Sequence, residues 1–430
     1  MVTTEPGAPG RAPRRATYRD ALAEPRFRVL FATRTVAIAA DTLRVLALSV
    51  LVYGRTGSPL LASAAFAAGF LPQLAGGALL GALADRMRPR RLIAAAYALE
   101  AAAALVLALL DPPVAAALAL VALIACATPL FAGASNRLVA DVLTGDAYVL
   151  GRSLMTIASA AAQLLGLAFG GVAVAALGPR HALLAAGAAH LLAALLARFG
   201  LPDLPAPPRA EARSLVGESF TGSVRLLADP AVRALLLAQW LPPAFVAGAE
   251  SLLVPYAAVR GYPEGTAALL MGCSAGGMLL GNVAGARLLT PAARERLVVP
   301  LMAMFGVPLL PLALDVPAAL AALLMLLTGA GFAYELGIQR PFVDALPEDG
   351  RGQAFGLLST GLMTLQGTGP LVLGGVAEFV PVGGTLAVAG ACTLVIALLL
   401  RAPLTRARTV PAPEPEPAPA PATVEPREAS

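Results

Sequence analysis

The chain has 430 residues, 58% of them hydrophobic and only 13% charged, and its 42 Gly raise the apolar share to about 68%. Soluble chains counted the same way hold about 45–50% apolar and about 25% charged residues; too little charge is present to clothe a water-exposed surface, so the apolar excess must face lipid. The net charge of +5 comes with 5% aromatics and no basic patch interleaved with them, which excludes nucleic acid as a partner, and Cys126, Cys273 and Cys392, far apart in apolar runs, offer neither a disulfide framework nor metal-ligand spacing.

Residues 1–25 carry Arg11, Arg14, Arg15 and Arg19 without a short apolar core and cleavage site, so they read as a polar tail rather than a signal peptide. A helix crosses the ~30 Å hydrocarbon layer with about 20 apolar residues. Runs of that kind lie at approximately 27–53, 59–83, 92–110, 114–135, 153–177, 181–200, 232–258, 264–290, 297–314, 317–339, 354–377 and 382–400. They are continuous in Ala, Leu, Val and Gly, without the alternation of a β-barrel, and only helices satisfy such backbones in lipid. The expected fold is therefore an all-α membrane protein of twelve transmembrane helices: a six-helix half over 26–200, a central loop over 201–231, a second six-helix half over 232–402 and a tail over 403–430. The loop opens with Pro202, Pro205, Pro207 and Pro208, and the spacing of Leu215, Phe220, Val224 and Leu227 predicts an amphipathic helix along the inner membrane face. Residues 411–423, PAPEPEPAPAPAT, predict an extended, disordered tail.

Every one of the 31 basic residues is Arg. With residue 1 in the cytoplasm, the outer loops hold only Arg55, Arg180 and Arg260, and 26 Arg fall inside once Arg34 and Arg44 within the first span are set aside. The positive-inside rule thus places both termini in the cytoplasm.

The halves repeat. Residues 182–198 align without gaps on 385–401; at the same offset Gln163 and Gly166 fall on Gln366 and Gly369, while Gly170 and Gly171 fall on Gly374 and Gly375 one position further on. Gly77 and Gly81 in span two match Gly281 and Gly285 in span eight. Parallel repeats of this kind place a binding site near the midplane between the halves.

The stretch from Gly81 through Ala82, Leu83, Ala84, Asp85, Arg86, Met87, Arg88 and Pro89 to Arg90 and Arg91 resembles the G-x-L-A-D-R-x-G-R-R loop signature of the major facilitator superfamily, with Arg88 or Pro89 where the family usually has Gly. The resemblance extends over about 26–402. It implies transport by rocking of two halves about a midplane cavity, in a bacterial cytoplasmic membrane, with no cofactor beyond a proton gradient and with the monomer as working unit. The opening FRVLFATRTVAIAADTLRVLALSVLVYGRTGSP is similar to bacterial macrolide and siderophore exporters. Gly166, Gly170 and Gly171 resemble the antiporter element G-P-x-x-G-G with Leu167 in place of its Pro, and Gly369 and Pro370 supply the dipeptide in the second half. The family's fourth-helix R-x-x-Q-G pattern does not occur in 114–135. In the loop signature, Asp85 is expected to meet a helix N-terminus and nearby guanidinium groups as a gate, with Gly77 and Gly81 letting a neighbouring helix approach; Arg88 and Arg90 are expected to serve topology alone.

Ionisable groups deep in hydrocarbon cost at least about 2.5–3.5 kcal/mol and mark pathways or relays. Asp41 lies about 21 Å along a first helix of about 40 Å, at the midplane, with Arg44 three residues on and on the same face. The pair reads either as a structural salt bridge or as a switchable carboxylate near substrate. Glu100 in span three has no charged neighbour within a turn and is expected either to hydrogen-bond as a neutral acid or to carry a proton. Glu250, past the helix-kinking Pro242 and Pro243, is expected opposite Asp41 under the repeat as the substrate-side acid of the second half. Tyr334 and Glu335, beside Gly329 and Gly331, are weaker candidates, since Glu335 can reach the interface. His190, without Cys or carboxylate nearby in sequence, is expected to be a packed, hydrogen-bonded side chain.

The leading expectation is a proton-driven exporter of an amphipathic small molecule, because few intramembrane charges among many Ala, Gly and Leu suit a bulky apolar ligand better than a phosphate. Nutrient uptake and a non-transporting, ligand-binding sensor are the alternatives. No Ser, His and acid set and no paired metal ligands stand at suitable depth for an enzyme.

Overall fold

The computed structural model describes residues 17–76, 87–143, 145–204, 224–346 and 351–407. Gly77, Gly81, Asp85, Arg86, the loop residues Leu215 and Phe220 and the tail at 411–423 lie outside them.

The described elements are all helices. Among the described residues nine helices are long and apolar enough to cross a membrane: Pro25–Thr56, Pro59–Gly76, Pro89–Leu109, Val114–Val142, Leu150–Gly200, Pro230–Ser251, Thr266–Leu288, Ala318–Asp344 and Val382–Thr405. Leu150–Gly200 holds two passes, because Gly178 breaks it at φ 80 and ψ 163. That backbone is open to glycine and is followed by Pro179, whose ring presses the preceding residue out of the helical region. Val298–Ala313 and Arg351–Val376 complete the twelve. Prolines open several of these helices, at Pro25, Pro59, Pro89 and Pro230, where a missing N–H costs nothing. Within the ninth span Pro308 and Pro311 remove further donors, and the chain tightens to a 3-10 helix over Val307–Ala313. Large apolar side chains such as Leu123, Phe169, Val172, Leu323 and Leu398 point outward and exposed, as a lipid-facing surface requires.

The sequence repeat is also a packing repeat. A Cβ on Gly166 of the fifth span would stand 2.8 Å from Ala39 O of the first, and one on Gly369 of the eleventh would collide with Ala244 O of the seventh. Only glycine lets these backbones touch. Gly76 meets Cys126 between spans two and four as Gly281 meets Ala330 between spans eight and ten.

The even number of passes puts both described termini at one end, the terminal end, with residues 57–58 at the opposite, distal end. Contacts between the halves gather at the distal end. Gly171 meets Ala268, and Gly265 packs on Ala175. Ser251 Oγ donates to Ser63 Oγ at 3.0 Å. The Glu378 carboxylate accepts from Ser58 Oγ at 2.5 Å and Leu60 N at 3.1 Å, seating an acid of the second half on the N-terminus of the second span. Such contacts reach as deep as Leu71 against Gly367. A cavity of about 740 Å³ opens at this end, bordered by Tyr53, Tyr256, Arg260, Asp315 and Glu378; Tyr53 lies about 18 Å along the first span from Asp41, so the cavity is a vestibule rather than the site of the buried charges.

Candidate functional site

The first span is 32 residues long and Asp41 stands at its middle. One helical turn toward the distal end, Arg44 turns back to it, Nη2 donating to Asp41 Oδ1 at 2.9 Å. The same Nη2 lies 3.1 Å from Glu100 Oε2 of the third span. His190 of the sixth span completes the group, with Nε2 3.3 Å from Asp41 Oδ1 and Nδ1 2.9 Å from Ala186 O. Four ionisable side chains from three spans thus share one small volume.

Two expectations change here. Glu100 has a charged neighbour after all, and His190 has a carboxylate beside it. Both partners come from the first span, far away in sequence, so no spacing within spans three or six announces them. What sequence does offer is a weaker signal: each of these spans has one ionisable residue in its apolar interior.

Burial divides the group. The side chains of Arg44, Glu100 and His190 are 8%, 11% and 0% exposed, while that of Asp41 keeps 44%. Asp41 is therefore the exposed member of the group. Arg44 Nε and Nη1 are buried without a partner among the described residues. With two carboxylates and one guanidinium, the group carries one uncompensated negative charge in a low-dielectric setting, where such a charge is costly. One proton makes it neutral. The ligand atoms of Asp41, Glu100 and His190 lie within 4.8 Å of one another, a spacing that would suit a metal ion, but the Arg44 guanidinium already bridges the two acids and supplies the cation.

The C-terminal half treats its polar groups differently. Pro242 and Pro243 lack the N–H groups that would reach the carbonyls of Ala238 and Gln239 one turn earlier. Tyr334 OH fills one of these gaps, donating to Ala238 O at 2.9 Å from a fully buried position. The two prolines could have pointed to this role, since each frees a carbonyl that needs a donor. Glu250 accepts from Ser274 Oγ at 2.6 Å. It does not stand opposite Asp41: the matching contacts Gly166 to Ala39 and Gly369 to Ala244 set the first and seventh spans at an offset of 205, which pairs Asp41 with Val246 and leaves Glu250 one turn closer to the distal end. Trp240 Nε1 donates to Leu358 O at 3.0 Å, its ring lying against Gly361. Glu335 is half-buried at the start of the Glu335–Asp344 helix.

Of the loop-signature residues, Met87 to Arg91 are described. Arg90 Nη2 pairs with Asp203 Oδ2 at 2.8 Å and Arg88 Nη1 with the same oxygen at 3.2 Å, while Arg91 is exposed. Arg88 and Arg90 accordingly do more than set topology: they tie the start of the third span to the end of the sixth. Gly170 packs on Leu43, and Pro370 is buried within the eleventh span.

A family model described as Major Facilitator Superfamily matches residues 30–342. Among solved structures, a mutant of the nucleoside transporter NupG is similar at 15% identity with a TM-score of 0.71, covering 88% of this chain and 99% of that one. NupG itself gives 14%, 0.69, 88% and 98%. A bacterial homologue of the human lysosomal transporter Spinster, in an inward-facing and unoccupied conformation, gives 16%, 0.61, 89% and 97%. No curated protein matches. At these identities the structures share the fold, twelve helices in two six-helix repeats, and with the family match over most of its length the chain belongs to the major facilitator superfamily.

Proposed function

We propose that this transporter exports an amphipathic small molecule from the bacterial cytoplasm in exchange for protons, by alternating access. The observation that carries the reading is the group formed by Asp41, Arg44, Glu100 and His190: a buried set of charges that one proton makes neutral, opening to the interior through Asp41 alone. A proton taken up or lost there changes the cost of leaving Asp41 facing the cavity. Substrate and proton can thus compete for one carboxylate, which is the elementary requirement of exchange.

Of the 31 Arg, only Arg55, Arg180 and Arg260 belong to the loops of the distal end, and that scarcity of basic residues supports a periplasmic distal end and cytoplasmic termini. In that orientation the closed distal contacts correspond to a site that faces inward, ready to load from the cytoplasm.

Proteoliposomes loaded with ethidium or erythromycin, two amphipathic probes, test the reading. Export predicts that an imposed proton gradient drives the probe against its own gradient in exchange for protons. No gradient-driven movement of either probe overturns export by exchange, and movement of probe together with protons identifies an uptake system.

A further inference from the structure

We propose that His190 is the proton-carrying group of this site, holding one proton between its Nε2 and Asp41 Oδ1; the inference rests on the proton-coupled reading and locates the proton within it. The argument begins at the other ring nitrogen. Nδ1 lies 2.9 Å from Ala186 O, the carbonyl one turn earlier on the same helix. A carbonyl only accepts, so Nδ1 carries its hydrogen whatever the charge of the ring. A half-turn of the ring would set carbons against both oxygens, which leaves this orientation as the one that satisfies the contacts.

In the neutral ring Nε2 is then a bare acceptor. It lies 3.3 Å from Asp41 Oδ1, and an ionised carboxylate is an acceptor too. Nε2 is buried without a hydrogen-bond partner among the described residues; two acceptors this close in a buried site repel, and the His190 side chain is 0% exposed, so water cannot mediate from the histidine side. The arrangement is stable with one additional proton between the two atoms. Charge demands the same proton: Asp41 and Glu100 against Arg44 leave one negative charge, and the proton cancels it. The ionisable groups facing the pair are Arg44 on the first span and Tyr97 and Glu100 on the third, and one guanidinium already serves both acids.

Release follows the exposure gradient. The proton leaves His190 Nε2, breaking that N–H bond, and forms an O–H bond at Asp41 Oδ1. Asp41, at 44% exposure, then passes it to water at its exposed face and becomes an anion. The two acceptors now repel, Asp41 keeps only its Arg44 contact, and the first and sixth spans lose the proton that joined them. Proton loss is thereby converted into relative movement of two spans. Uptake from water reverses the steps.

The chain has only two histidines, His181 and His190, so NMR of isotope-labelled histidine in the full-length protein, with His181→Ala to assign the signals, reads the ring directly. The expected result is an Nδ1–H resonance present throughout, and a single protonation transition of Nε2 with pH that disappears in Asp41→Asn, whose amide can donate to Nε2. A ring protonated at Nε2 alone, an Nε2 signal that does not move with pH, or an unchanged transition in Asp41→Asn overturns the inference. In proteoliposomes, His190→Gln is expected to lower proton-driven ethidium efflux at least about tenfold while exchange of ethidium across a membrane without a gradient persists. A wild-type pH profile of driven efflux in His190→Gln also overturns it. If the ring titrates as described but no gradient moves either probe in the wild type, the exporter reading fails and the proton site stands.

Discussion

The two halves of the molecule share a frame and differ in what the frame encloses. In each, a glycine of the fifth span of the repeat presses on the backbone of its first span, Gly166 on Ala39 and Gly369 on Ala244. In the C-terminal half one continuous apolar cluster runs from Leu226 and Val232 to Leu400 and Leu404. In the N-terminal half the core is split: one cluster around Phe27, Leu30, Ile93, Leu138 and Ala197 fills the terminal end, and another around Leu48, Val52, Leu107, Val121 and Leu183 fills the distal end. Asp41, Glu100 and His190 lie between these clusters along their own helices. The second half instead spends its polar side chains on neutral repair, Tyr334 to Ala238 and Trp240 to Leu358. Duplication set the packing of both halves, and the cluster of Asp41, Arg44, Glu100 and His190 was placed in one.

The sharpest way to break this contrast is to remove the cation. Arg44→Leu leaves the buried Glu100 beside Asp41 without compensation, and a loss of about 3–5 kcal/mol is expected, read as a large fall in melting temperature of the detergent-solubilised protein. A wild-type melting temperature would mean that the N-terminal charges are not held by one another. Next comes Asp41→Asn, expected to stay folded in the membrane while gradient-driven efflux falls about a hundredfold; Glu250→Gln, which keeps a hydrogen-bond partner for Ser274, should retain most of it. Equal losses in the two variants would place proton handling in both halves.

The shared frame predicts smaller, matched effects. Gly166→Ala and Gly369→Ala each push a methyl group into a facing backbone, and each should cost about 1–3 kcal/mol. A large difference between them would show that the repeat in sequence is not one in energetics. The mildest change is Glu378→Ala, which removes the acid on Ser58 and Leu60 at the distal contact. An expected loss of about 1 kcal/mol raises the population of distally open molecules about fivefold. Labelling of Ser63→Cys by an impermeant thiol reagent, in a chain without Cys126, Cys273 and Cys392, measures that population; an unchanged rate would assign distal closure to the glycine contacts alone.

Much of this was legible before any coordinates. The apolar runs specified helices because lipid leaves the backbone no other partner, and the offset that carries Gly166 onto Gly369 identified two residues with one packing role. Asp41 and Arg44 were a pair by helical spacing alone. Glu100 and His190 were visible as isolated ionisable residues, yet their partnership was not, since spans three and six meet the first span only after the half has packed. The placement of Glu250 failed for a related reason. The repeat alone left the register of the seventh span against the first unset, and the packing glycines Gly166 and Gly369 supplied it.

The sequence by itself determined the number of the crossings, the duplication, and which few side chains would be costly in lipid, because these depend on local composition and on a period read along one chain. The tertiary structure alone decided that three of those costly groups and one arginine share a single charge balance, that Tyr334 repairs a gap left by Pro242, and that Arg88 and Arg90 meet Asp203. Such facts depend on distances of a few ångströms between helices remote in sequence, where electrostatic energy and hydrogen bonding change most steeply.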